Sequence, residues 1–261
     1  MKILITGSSG FIGKYLTKYL ASNNISVLGL SRSGKYVQGA SRSLKWSLGD
    51  DIPITILGDI DCVIHLAHDF KNRKSSEFSA SATISLIEKL NKFGIKKQIF
   101  LSSFSAGPWA QSNYGISKFR IEKSIKKFNR IIIVRPGLVI GNGGVFKKIK
   151  KIARLLPVIP LPDGGKGIVS IVKIENLSEF ILKIIKYNAQ SNNLNYLIED
   201  ERKTLKDIVI EQIKHRSPRP LIFFIPNFVI LTVFKLVNFF NFNSLGLIDS
   251  LIGHISSQKS K

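Results

Sequence analysis

The stretch "KILITGSSGFIG", residues 2–13, constrains this chain more than any other. A short apolar run passes directly into Gly7, Gly10 and Gly13, after which apolar residues recur at helical spacing. Gly7 suits a tight turn, Gly10 a close approach of the backbone to a ligand, and Gly13 a helix lying close against the strand. Such a junction aims backbone N–H groups and the positive end of a helix at one point, where an anionic diphosphate is stabilised. The spacing is G-x-x-G-x-x-G rather than G-x-G-x-x-G; its position in a first strand–turn–helix unit is what points to a dinucleotide. Ser9, Phe11 and Ile12 of the same turn are expected to contact that cofactor with the glycines.

The rest of the chain is consistent with that opening. "SVLGLS", "DCVIHLAH", "KKQIFLSS" and "RIIIVRPG" read as strands, the third of the clear ones being "DCVIHLAH". Between them, residues 11–23, 78–94 and 114–127 carry amphipathic helical periodicity. Continuous apolar strands alternating with helices predict an α/β chain with a parallel sheet covered on both faces, a Rossmann-type doubly wound sheet. After about residue 140 the pattern loosens. Residues 141–144 form a loop, and the stretch holding Pro157, Pro160 and Pro162 is extended and irregular. "IVSIVKI" is a strand followed by a helix from Glu175, "NLNYLIE" another strand, and Thr204 with Asp207 opens a further helix. The expected organisation is a cofactor-binding domain over residues 1–165, with 166–190 returning to it, and a small C-terminal α/β substrate lobe over 191–261.

The apolar run from Leu221 to Phe240 is broken by Pro226, Asn227, Lys235 and Asn238, too soon for a membrane span of about 20 residues. It reads as a short extended piece and then a helix from Asn227, either packed on the main domain or lying in a membrane surface. The N-terminus begins at once with strand-like residues and shows no secretory signal, which places the chain in the cytoplasm, with membrane association through its end as an option. The single cysteine, Cys62, excludes an intramolecular disulfide, fits a reducing compartment and reads as a buried, inert thiol. No metal is expected.

The net charge is +22. Abundant Lys, Ile and Asn fit an AT-rich coding sequence first; an anionic small ligand or anionic membrane comes next. Nucleic acid is not expected as a partner, because the charge is spread along the chain and no zinc-finger, helix-turn-helix or RNA-binding signature is present. The densest basic cluster, "VFKKIKKIAR" at 145–154, has the pattern of an amphipathic helix with a wet cationic face.

Two further stretches carry chemistry. The second strand ends at Ser31, Arg32 and Ser33, where an acid would grip the ribose hydroxyls of NAD. A cation between two hydroxyls suits a 2′-phosphate instead, so NADP is favoured over NAD. "SNYGISKFRIEK", residues 112–123, sets Tyr114 and Lys118 on one helix face behind a cap at Ser112 or Asn113. Alone, a Tyr-x-x-x-Lys pair in so lysine-rich a chain says little.

Taken together, "TGSSGFIG", "DCVIHLAH", "FLSSFSA" and "YGISK" in this order resemble the extended short-chain dehydrogenase/reductases, and more closely the NAD-dependent epimerase/dehydratase family, which acts mainly on nucleotide-diphosphate sugars. The resemblance covers roughly residues 1–185. It implies Tyr114 as general acid/base, with its phenol drawn toward working pH by Lys118 and an oxidised nicotinamide. Lys118 would also hold the nicotinamide ribose. Ser103 would orient the substrate, with Ser105 as helper and Ser102 as the competing serine. Leu66, Ala67 and His68 would pass the cofactor after the fourth strand, Pro136, Gly137 and Leu138 would line the nicotinamide side, and Asp50 would sit near the adenine. His65 takes a structural hydrogen-bonding role. Lys147 and Lys148 are candidates for the substrate diphosphate. The implied reaction is 4-keto reduction or C4 epimerisation of a nucleotide-diphosphate sugar in cell-surface polysaccharide synthesis. Dehydration is disfavoured, because "SSFSA" offers no acid beside the serine. The short Ser103–Tyr114 gap also resembles the relatives of the complex I 39-kDa subunit, so a non-catalytic NADP(H)-binding scaffold is the alternative, with a reductase of a non-sugar carbonyl as a third reading. A homodimer through helices at 76–93 and 113–127 is the expected assembly.

Overall fold

The structure, a computed structural model, describes residues 1–69, 72–186 and 194–225. Strand β1 (Lys2–Thr6) leads into helix α1 (Phe11–Ser22), and β2 (Ser26–Ser31) is followed by β3 (Arg42–Lys45) and the short α2 (Ile54–Leu57). Next come β4 (Cys62–His65), α3 (Arg73–Phe93), β5 (Lys97–Leu101), α4 (Asn113–Ile125) and β6 (Ile131–Pro136). The chain continues through β7 (Leu138–Ile140), α5 (Gly144–Leu155), β8 (Val158–Pro162), β9 (Ile168–Lys173) and α6 (Ile174–Lys186). It closes with β10 (Asn195–Ile198), β11 (Glu201–Thr204), α7 (Leu205–Ile213) and β12 (Leu221–Ile225).

The main sheet has seven strands in the order β10-β6-β5-β4-β1-β2-β3, and every neighbouring pair in it is parallel. The order reverses between β1 and β4, and in an open parallel sheet that switch point is where a ligand finds a crevice at the carboxyl ends. Alternation along each strand builds both layers. Ile3 and Ile5 of β1 pack toward α1 and α6, with Leu16, Leu20, Leu177 and Ile181. Leu4 faces the other way, against Val63, Leu86 and Leu90. Phe100, Ile131 and Ile133 meet Ile121 and Ile125 of α4 on that second side. Each such side chain, fully buried, contributes about 1.5–3 kcal/mol relative to exposure.

A second cluster sits beyond the sheet. Phe146, Ile149 and Ala153 of α5 pack with Leu205, Ile208 and Val209 of α7 and with Ile159 and Leu161 of β8. Beside it stand the sheet β11-β9-β7 and the two-stranded β12-β8.

Three differences from the sequence expectation have plain causes. β3 is an additional strand, so "DCVIHLAH" holds the fourth; three of the four β3 residues are polar, Leu44 being the exception, and the strand lies partly exposed at the sheet edge, which erases the apolar signal. The proline-rich stretch forms β8, because its partner β12 is parallel and supplies the missing pairing. β10, expected in the C-terminal lobe, pairs with β6 as the edge of the main sheet. The extended piece after Leu221 is β12, whereas the helix expected from Asn227 lies outside the described residues. Among the described residues no helix is long and apolar enough to cross a membrane.

Candidate functional site

The first turn closes as its glycines require. Gly7 has a φ of 73°, and a Cβ there would stand 2.9 Å from the Ala67 backbone. A Cβ on Gly13 would fall 2.4 Å from the Gly7 carbonyl oxygen, so α1 can seat on the turn only with glycine. Gly7 and Ser8 both donate their backbone N–H groups to the Leu30 carbonyl, joining the turn to β2. α1 starts at Gly10 without a side-chain cap and without an acid in its first turn. The positive end of α1 therefore faces the crevice uncompensated by the chain's own side chains, as a diphosphate site requires. On the other side of the switch point, Thr6 Oγ1 accepts from the N–H groups of Leu66 and Ala67, at 3.2 and 3.3 Å.

A cavity of about 590 Å³ runs along this edge. It brings together Gly7, Ser9, Gly10, Phe11, Ile12, Gly13, Ser31, Arg32, Leu66, Ala67 and His68 with Ser103, Tyr114, Lys118, Pro136, Gly137 and Leu138. All are expected from the sequence, and they come from the ends of β1, β2, β4, β5 and β6, the start of β7, the glycine turn and α4. The glycine cradle, the uncapped helix start and the cavity fit a dinucleotide.

At the inner end, α4 is fixed in three ways. Ser112, not Asn113, is its cap and accepts from the Gly115 N–H at 2.9 Å. A Cβ on Gly115 would lie 2.5 Å from the Ser105 carbonyl oxygen, so the helix starts hard against the turn after β5. Ser117 Oγ donates to the Ser76 carbonyl of α3 at 3.0 Å. The docking brings Tyr114 into hydrogen bonding with Ser103. Ser103 Oγ also accepts from the hydroxyl and N–H of Ser105, at 2.9 and 3.2 Å. Ser105 is thus behind Ser103 rather than at the cavity wall. The rival serine, Ser102, lines the cavity, but its buried hydroxyl has no hydrogen-bond partner among the described residues. The Tyr114 ring meets His68 edge-on, with centroids 5.1 Å apart.

Lys118 donates to the Leu101 carbonyl at 2.7 Å and lies over the Phe100 ring, with the Tyr114 ring 5.6 Å away. Burial pushes its ammonium down to about 7, partly offset by Glu122 one turn on. Glu122 is itself buried and paired with Arg135 of β6, whose Nε donates to it at 2.8 Å. From the chain's own groups, burial raises the Tyr114 phenol above its ordinary value of 10.0, more than the Ser103 hydrogen bond lowers it. This is opposite to the lowering expected with Lys118 and a bound oxidised nicotinamide. His65 is buried and does not line the cavity; its Nε2 lies 2.9 Å from Gln98 Oε1, and burial lowers it to about 4.

Several expected residues lie elsewhere. Ser33 reaches Ser31, 3.5 Å between hydroxyls, but does not line the cavity. Asp50 is exposed; it accepts the Ser47 N–H through its carboxylate and the Trp46 indole N–H through its carbonyl. Trp46, Ser47 and Leu48 are the wall, and Asp50 supports them. Lys147 and Lys148 are exposed on α5, whereas Gly144 and Val145 at its start line the cavity. Asp69, Phe78, Ser79, Leu101 and Val139 complete the lining. The sequence signal for Trp46 was the "WSLGD" turn; without the edge strand β3 it pointed to the acid instead of the indole. Asp69 faces Arg32, carboxylate to guanidinium 3.7 Å.

The model of the NAD-dependent epimerase/dehydratase family matches residues 3–198. A UDP-glucose 4-epimerase of Vibrio cholerae is 25% identical over 237 residues, which is 76% of this chain and 70% of that protein. Among solved structures, MoeE5 in complex with UDP-glucose and NAD superposes with a TM-score of 0.73 at 17% identity, covering 87% of this chain and 85% of that one. A UDP-glucuronic acid 4-epimerase of Bacillus cereus, solved with UDP-glucuronic acid and NAD, gives 0.70 at 21% identity, covering 87% and 86%. Both structural likenesses are of fold.

Proposed function

This chain belongs to the NAD-dependent epimerase/dehydratase family, and from that starting point we propose that it interconverts the hydroxyl and keto forms of a sugar carbon in a nucleotide-diphosphate sugar. The reading covers 4-keto reduction and C4 epimerisation, with a place in the synthesis of a surface polysaccharide. The observation that carries it is the Ser103–Tyr114 hydrogen bond, held beside Lys118 in the cavity that begins at the glycine turn.

Gly7, Gly10 and Gly13 with the start of α1 would hold the diphosphate of the cofactor, and Lys118 its nicotinamide ribose. Bound there, a nicotinamide supplies hydride acceptance and donation. The remaining work falls to the chain. Ser103, oriented by Ser105, hydrogen-bonds the reacting oxygen of the sugar. Tyr114 gives its phenolic proton to that oxygen when a ketone is reduced and takes the proton back when the alcohol is oxidised. Burial favours the protonated phenol, which is the form needed to reduce a keto sugar. The dehydratase chemistry of the wider family is not part of the proposal, since Phe104 and Ser105 stand beside Ser103 where an acid would be needed.

The test is Tyr114→Phe, with NAD binding followed by calorimetry and turnover by absorbance on a panel of 4-keto and 4-hydroxy nucleotide sugars. Binding is expected to persist while turnover falls by roughly 10²–10⁴-fold. Equal turnover in the variant would remove the acid/base role. A wild-type chain that binds NAD but turns over none of the panel would favour the cofactor-holding scaffold.

A further inference from the structure

The two-stranded sheet β8-β12 has one face on the second core and one with no partner among the described residues. Ile159 and Leu161 point inward and are buried, and Ile222 packs with them. Their neighbours point out: Val158 is 44% exposed, Leu221 73% and Phe223 61%. Leu221 and Val158 are registered opposite one another, and the Leu221 N–H donates to the Pro157 carbonyl at 2.9 Å. The chain enters this face through Leu155 and Leu156, both exposed at the end of α5. Arg216 seals the corner, donating to the carbonyls of Ala153 and Leu156 at 2.8 and 2.6 Å. Six large apolar side chains, counting Phe224, are thereby exposed on neighbouring segments.

The two segments that carry them bear charge of one sign, and the first acid after β8 is Asp163. From Gly144 to Pro162, and again from Lys214 to Ile225, the chain carries no Asp or Glu. Lys147, Lys151 and Leu155 recur at four-residue intervals down the exposed side of α5, so a cationic stripe ends at the apolar face. Arg154, Lys214 and Arg219 are exposed beside it. The sequence after Ile225, "PNFVILTVFKL", continues apolar and basic.

We propose that the outer face of β8-β12, with the end of α5, is a docking surface for an anionic phospholipid bilayer. Apolar side chains entering the headgroup boundary beneath a rim of Lys and Arg is the mode of interfacial binding, and both components are present. A second copy fits less well, since a two-fold contact would bring the α5 lysines and Arg154 of both copies together. Nucleic acid fits less well because four of the six exposed apolar side chains, Leu155, Leu156, Val158 and Leu221, are aliphatic and stack no bases. The inference does not rest on the reaction proposed above.

Co-sedimentation of the full chain with vesicles tests it, using phosphatidylcholine alone and phosphatidylcholine mixed with phosphatidylglycerol. Binding to the anionic vesicles is expected, weakening with salt. In Leu221→Ser/Phe223→Ser and in Lys151→Glu/Arg154→Glu it falls by about tenfold or more, with NAD binding and Tm unchanged. Absence of wild-type binding to anionic vesicles, or wild-type binding in both variants, overturns the proposal. So does a large fall in Tm in the serine variant without vesicle binding, which would mean that the chain covers this face itself. Concentration-dependent self-association abolished by either variant, or retention on DNA or RNA in place of vesicles, equally sinks it.

Discussion

Arg32 shows how one residue's meaning changes with its neighbour. In sequence it stands between two serines and reads as a phosphate ligand. In the structure its guanidinium is 3.7 Å from the Asp69 carboxylate, at the same end of the cavity. A 2′-phosphate arriving there would gain the cation and meet the anion, so neither cofactor is strongly selected by Arg32 alone. The two charges can be separated by mutation. Arg32→Ala should weaken NADP more than NAD, and Asp69→Asn should strengthen NADP relative to NAD, each by roughly tenfold, about 1.4 kcal/mol. Paired titrations of the two cofactors against wild type and both variants check this; an unchanged ratio in both shows that neither group meets the 2′ position.

At the scale of the element, α4 does most of the positioning. One face carries Tyr114, Lys118 and Glu122 at successive turns, and each has a different neighbour: the β5 turn, the β5 carbonyl end and Arg135 of β6. The Glu122–Arg135 pair therefore ties α4 to the sheet beneath it. Removing the carboxylate leaves a half-buried guanidinium uncompensated, so Glu122→Gln should destabilise the fold by roughly 3 kcal/mol. Urea denaturation followed by circular dichroism reads this as a lower midpoint at unchanged slope. A midpoint within error of wild type would show that water, rather than the carboxylate, satisfies Arg135.

For the whole molecule, burial of bases sets the pH dependence. His65 is held near 4 in the fold against an ordinary 6.5, and Lys118 near 7 against 10.5. In both cases the unfolded chain binds a proton that the folded chain does not, so stability rises with pH across each window, by at most about 1.4 kcal/mol per pH unit. The lower window runs from about 4 to 6.5 and the upper from about 7. Above 9.0 the buried Cys62 thiol, pushed up to about 12, acts in the opposite sense, because the unfolded chain then loses a proton that the fold retains. The difference in unfolding free energy between wild type and Lys118→Met should therefore grow in favour of wild type from pH 7 to 9, and a constant difference would contradict the depressed ammonium. The sequence by itself determined the parallel sheet and the glycine turn, because apolar periodicity and glycine sterics are local properties; helix spacing put Tyr114 and Lys118 on one face, and only the resemblance of the motifs to a family singled them out with Ser103. It misjudged the edge strand β3, whose exposed polar residues carry no pattern, and β10, whose place depends on a partner more than fifty residues away in the chain. Only the tertiary structure decided that Trp46 rather than Asp50 forms the wall, that Asp69 opposes Arg32, and that burial outweighs hydrogen bonding at Tyr114. Each of these turns on which groups share a dry or a wet space, and that is fixed only when distant segments pack together.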